Sequence, residues 1–210
     1  MSAPPVPGLP MPVSADDILD FWFGPPGDNA GIAARQGRLW FGKSAANDQA
    51  VASRFADTLI DATAGRLGHW TATPRGRLAL VIVLDQFPHH IHRGRPQAFA
   101  TDAQALALSL AALASGEDRQ LSPIERVFLY LPLEHAESLA MQERAVELFA
   151  ALANEAAADE RALFDNFLDY AVRHRDVIAR FGRFPHRNAI LGRVSTPAET
   201  EFLEQPGSRF

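Results

Sequence analysis

Apolar residues recur at helical spacing along most of this chain, and the pattern predicts helices separated by proline- and glycine-rich punctuation. The first is 14–23, where Ser14 can cap and Asp16 and Asp17 sit in the first turn, the end where a helix favours negative charge. GPPGDNAG, 24–31, reads as a loop. Residues 47–64 form a second helix with Val51, Phe55, Leu59 and Ile60 near one face. The segment 78–86 carries Val81, Ile82 and Val83, which favour a strand, yet no partner strand exists elsewhere. It is assigned as a buried helix.

An alanine- and leucine-rich helix follows at 100–114. SPIE, 122–125, is a capping box with proline at the first helical position. Pro132 is expected to end that helix and start the next, which runs to about Asn154. A long amphipathic helix spans 159–181, and a second capping box, TPAE at 196–199, opens a short C-terminal helix. The expected fold class is all-α: an irregular arm at 1–13, then a single helical domain over 14–210.

Several polar side chains break this pattern. Counted as one helix, 132–154 has an apolar side of Leu139, Met141, Val146, Leu148, Phe149 and Leu152. His135, Ser138 and Gln142 fall inside that sector, and Glu134 falls with Met141 and Leu152. In 159–181 the stripe is Leu163, Phe167, Tyr170, Val177, Ile178 and Phe181, with His174 at its centre. Asp85 ends the apolar run VIVL. A buried polar group without a partner costs about 1–3 kcal/mol. These residues therefore bond one another in a structural core network, or they bond water or a ligand.

Bulk composition narrows the classes. The net charge of the 210 residues is −5, so no global field favours nucleic acid, and any affinity for anions is local. Cysteine is absent, which removes disulfides, thiolate metal sites and cysteine nucleophiles and fits a reducing, cytoplasmic setting. The N-terminal MSAPPVPGLPMPV lacks the basic and apolar regions of a secretory signal. No apolar run is expected to approach the ~20 residues that span a bilayer, so no membrane partner is anticipated.

The densest chemistry lies in FGRFPHRNAILGR, 181–193. Arginine's planar fork suits carboxylate or phosphate, and His186 can donate or exchange protons near neutral pH. The same residues can equally stop a helix and pair with surface carboxylates. LDQFPHHIHRG, 84–94, echoes this turn, with Phe-Pro-His just after a helix and arginine following.

Taken together, ILDFWFG, LDQFPHHIHRG, AFATD, FLYLPLEHAESLAMQ and FGRFPHRNAILGRVSTPAE make the chain resemble the bacterial domain-of-unknown-function family numbered 924, from Ile18 to Phe202 or beyond. The resemblance implies an all-helical fold similar to tetratricopeptide-like domains and implies no established activity. The family's pattern carries onto Asp85, Gln86, Phe87, Pro88, Arg93, Asp102, Pro132, Glu134, His135, Glu137, Gln142 and His174. It continues through 181–188 to Gly192 and Arg193. Where relatives usually read Arg-Asn after QFP, this chain has His89-His90, which makes HHIH a poor metal site.

The expected function is binding of a small anionic molecule, with acid/base or hydrolytic chemistry. Arg183, Arg187, Asn188, Arg93 and Gln142 are the candidate ligand-binding residues, and His174, His186, Glu134, His135 and Asp85 the candidate catalytic ones. A metal site through His135, His174, His186 and a carboxylate matches no standard spacing, so no metal or other cofactor is expected. No serine elbow, phosphate loop or Rossmann glycine pattern is present. The alternative is a non-catalytic helical module recognising a peptide or a carboxylate terminus.

Overall fold

The structure is a computed structural model that describes residues 12–208. The arm expected at 1–13 lies outside the described residues as far as residue 11. Among the described residues the architecture is all-α: α1 Ala15–Phe23, α2 Asn29–Phe41, α3 Ala45–Thr63, α4 Pro74–Asp85, α5 Phe87–Ile91, α6 Asp102–Ser115, α7 Pro123–His135, α8 Leu139–Glu155, α9 Arg161–Phe181 and α10 Pro197–Leu203, with short 3-10 turns between some of them.

Local chemistry accounts for most helix starts. Ser122 with Glu125 and Thr196 with Glu199 close the two capping boxes read from sequence, and the expected cap at Ser14 proves to be a third, with Asp17. Asp28 caps α2, its carboxylate accepting from Gly31 N–H at 2.6 Å. That cap starts a helix inside the stretch expected to be loop, and α2 was not anticipated from the apolar pattern.

Helix α4 is the centre of the molecule. Leu78 through Asp85 are all buried, and α4 packs against α1, α3, α6 and α7. A helix apolar all round has no solvent face, which explains its strand-like composition. Gly76 permits its entry: a Cβ there would lie 2.2 Å from the Trp70 carbonyl oxygen. Each fully buried Leu, Ile or Val contributes roughly 1.5–3 kcal/mol, so this segment anchors the core.

Three expectations about the helices are corrected. Pro132 lies inside α7, which continues to His135. The buried flank Val127–Leu133 holds the helix through a proline that on its own would break it. The real interruption is at 136–138, so Glu134 and His135 share no helical phase with Gln142. Ile60 and Tyr170 are exposed; α9 instead buries Phe164, Phe167, Ala171, His174, Val177 and Ile178. Finally, Pro96–Ser115 is long and apolar enough, on length and composition, to cross a membrane. The sequence reading had found no such segment. Here it is a 3-10 turn followed by α6, packed on α4 and α7.

The C-terminal region adds a small second cluster, with Val177, Ile178 and Phe184 buried against Phe181 and Phe202. The chain after Gly182, whose φ of 69° ends α9, folds back across the end of α7. This return brings the 181–193 turn next to α6 and α7 and creates the site.

Candidate functional site

A cleft of about 430 Å³ opens between the 96–103 segment, the C-terminal end of α7 and the turn around Arg187. Four of its twelve lining residues are polar: Asp102, His135, Glu137 and Arg187. Each comes from a helix end or a turn, where side chains escape the core.

His135 is placed by the last turn of α7. Its Nδ1 lies 2.9 Å from Asp85 Oδ1, at the buried end of α4. Asp85 is 0% exposed, and its other oxygen accepts from Gln86 Nε2 at 2.6 Å. Burial alone would raise the Asp85 pKa, but the pull of His135 outweighs it and holds the carboxyl below its ordinary value. Burial likewise opposes the His135 imidazolium, yet the Asp85 charge wins and raises His135 above its ordinary value. With Nδ1 committed to Asp85, Nε2 is the nitrogen left for the cleft, and the side chain remains 17% exposed.

Arg187 is the unusual member. It is 6% exposed, and its guanidinium carbon lies 4.6 Å from the centre of both the Phe99 and the Phe184 ring. Its hydrogen bond among the described residues runs from Nη1 to Asp102 Oδ2 at 3.2 Å, while the buried Nε has no partner. A guanidinium carries five N–H donors. One long bond and two aromatic faces leave this buried cation under-satisfied, which is costly. Asp102 is also incompletely bonded: its Oδ1 is buried without a partner, and burial, then the Asp85 charge, pushes its pKa up to about 6.

His89 packs edge-on against His135 at 5.6 Å and against Phe99 at 5.4 Å. Burial pushes its pKa down to about 3, so it is neutral, and its Nε2 has no hydrogen-bond partner.

The other candidates have different work. Glu134 and His174 meet at 3.0 Å, and neither lines the cleft. His174 Nδ1 is also 2.8 Å from the Tyr170 carbonyl, to which it donates. Burial raises Glu134 to about 8 and lowers His174 to about 3, so at pH 7 this is a contact between neutral groups, not an ion pair. Burial, then the Arg187 charge, lowers His186 to about 4; its ring packs 5.6 Å from Phe184, off the cleft. Gln142 Nε2 donates to the carbonyls of Glu134 at 2.5 Å and Ala136 at 2.8 Å, closing the end of α7.

Arg183 does fork, but onto Glu199, at 2.6 and 2.8 Å, and not into the cleft. Asn188 bonds Ser195, Glu199 and Arg193. Arg93 lies in another part of the molecule, forked onto Asp48 at 2.6 Å through both nitrogens. Glu137, at the cleft edge, accepts Arg193 at 2.6 and 2.8 Å and Phe184 N–H at 2.8 Å. These bonds offset its burial and keep its pKa below the usual range. The structure thus brings Asp85, His135 and Arg187 together and leaves Arg93, Arg183, Asn188 and Gln142 as structural clasps.

Asp102, Phe99 and Leu106 were not among the candidates. Asp102 reads locally as an ordinary acidic residue in the first turn of α6. The only signal for it was its place in the AFATD motif. Among the described residues, no group of three or more histidine and acidic side chains is arranged to hold a metal ion.

Comparison with known proteins agrees with the motifs. No curated protein gives a significant match. A solved structure of a protein of unknown function from Agrobacterium tumefaciens is similar, at 38% identity and a TM-score of 0.76, covering 90% of this chain and 96% of that one. The profile of the bacterial proteins of unknown function DUF924 matches residues 18–207, a span that includes every residue of the cleft, and the chain belongs to that family.

Proposed function

We propose that the cleft binds a small anion between Arg187 and His135 and supports proton transfer to or from it. The observation that carries this reading is Arg187, a buried guanidinium with one 3.2 Å bond, aimed at a cleft that His135 shares. An anion accepting from Arg187 Nη2 and His135 Nε2 supplies the acceptors that the fold does not, and charge-assisted bonds of this kind contribute about 1.5–3 kcal/mol each. Asp85 fixes the tautomer by holding Nδ1, so the proton moves at Nε2. Because Asp85 raises the His135 pKa, the ring keeps its proton to higher pH than an unpaired imidazole: His135 is first a donor to the anion, then an acid.

The test is a thermal-shift screen of small carboxylates and phosphate against matched chloride. A binding anion stabilises by about 2.7 kcal/mol at 100 times its Kd. Arg187→Lys and His135→Gln should abolish the response, while Arg183→Lys should leave it, because the Arg183 fork is filled by Glu199. Nitrogen NMR of the His135 ring adds a check on the dyad: its titration should fall in Asp85→Asn. Absence of any Arg187-dependent stabilisation overturns the reading.

A further inference from the structure

Arg187 presents very little of itself. Phe99 and Phe184 cover both faces of its guanidinium, Asp102 takes Nη1, and Nε is buried. What remains is the Nη2 edge, in a cleft that His135 also lines. A planar carboxylate fits two donors on one edge. A phosphate can take the same edge, but its second charge sets it apart.

The charge around that edge is also limited. Glu137 is held anionic by Arg193 and lines the same cleft as Asp102. A second negative charge on the ligand would meet these carboxylates. The remaining eight lining residues are apolar, among them Phe99, Ala103, Leu106, Pro132 and Leu191. Helix α6, which forms this wall, carries no charged residue from Ala103 to Ser115. The cleft, about 430 Å³, falls within the size range of small-molecule sites.

We infer that the ligand is a monocarboxylate with a compact apolar body, its carboxylate on Arg187 and His135 and its body along Ala103, Leu106 and Leu191. This rests on the anion reading above and names its substrate class.

Calorimetry on the full chain tests it with acetate, butanoate, hexanoate, hexan-1-ol, adipate, hexyl phosphate and inorganic phosphate. Affinity should rise by about threefold per methylene from acetate to hexanoate, near the value for a largely buried CH₂. Hexanol, adipate and hexyl phosphate should each bind at least roughly tenfold more weakly than hexanoate. Leu106→Ser and, independently, Leu191→Ser should flatten the chain-length slope, each with its folding checked by thermal unfolding. If adipate or either phosphate binds more tightly than hexanoate and Arg187→Lys removes that binding, the anion site stands and this inference fails. Hexanol matching hexanoate, or a slope that both serine variants leave intact, also overturns it. If nothing binds in an Arg187-dependent way, the anion reading itself falls.

Discussion

Two clusters in this molecule are built from aspartate, histidine and arginine. In the first, Asp48 receives both nitrogens of the Arg93 fork at 2.6 Å and the His90 ring at 2.9 Å. In the second, the donors are divided: Asp85 holds His135, and Asp102 takes a single 3.2 Å bond from Arg187. The exposed arginine is fully forked and the buried one is not. Solvent could have satisfied Arg93 at little cost, yet it is the better bonded. Arg187 has lost its water without gaining equivalent partners, the arrangement that burial energetics disfavours most. A clasp closes on itself, whereas an under-bonded buried cation facing a cleft is what the proposed anion would complete.

The contrast can be broken at several points. The largest effect is expected at Glu134→Gln, next to His135 of the second cluster and buried against the neutral His174. Glu134 is raised from its ordinary 4.5 to about 8. The folded state therefore holds a proton that the unfolded chain releases, so the stability tied to this proton is complete below about 4.5 and is lost progressively as pH rises to about 8. Glutamine keeps the neutral form at every pH. Denaturant unfolding should show the variant more stable by about 2–4 kcal/mol at pH 8 and unchanged at pH 4. Equal stability at both pH values would mean that Glu134 is not held neutral.

A smaller effect is expected at Asp102. Its pKa of about 6 means that the cleft gains a negative charge as pH climbs through that value. Binding of acetate or hexanoate should weaken by roughly fivefold to tenfold between pH 5 and 7, the scale of about 1 kcal/mol for one added charge. Asp102→Asn should remove that step, leaving only a later decline as His135 loses its proton. Calorimetry across the pH range distinguishes the two. The smallest effect belongs to the closed cluster: Arg93→Lys should cost at most about 1 kcal/mol in thermal unfolding, because the pair is partly solvated, and should not alter the anion response.

Short-range features were legible in the sequence. The capping boxes at Ser122 and Thr196 and the cap at Ser14 depend on residues three apart, and all three form. His174 at the centre of the α9 stripe is buried, because one helix carries its own period. The reading failed where it started a helix at Pro132 and carried one period across the break at 136–138. A proline normally ends a helix, but α7, packed against α4, α6 and α8, continues past it to His135. The resulting phase error assigned Gln142 to the site, although its amide only closes the end of α7.

By itself, the sequence determined the all-α class, the capped helix starts, the buried character of α4, the family, and the concentration of arginine and histidine after α9. These are local or compositional properties, and neighbouring residues suffice to set them. Arg183 and Arg187, four residues apart in one turn, could not be ranked that way. Glu199 claims the first, whereas Phe99, Phe184 and Asp102 enclose the second, and the first and last of these three lie more than eighty residues away in the chain. Only tertiary packing decides which cation is neutralised within the protein and which is buried facing a cleft, because desolvation depends on what surrounds a charge and not on what precedes it in the chain.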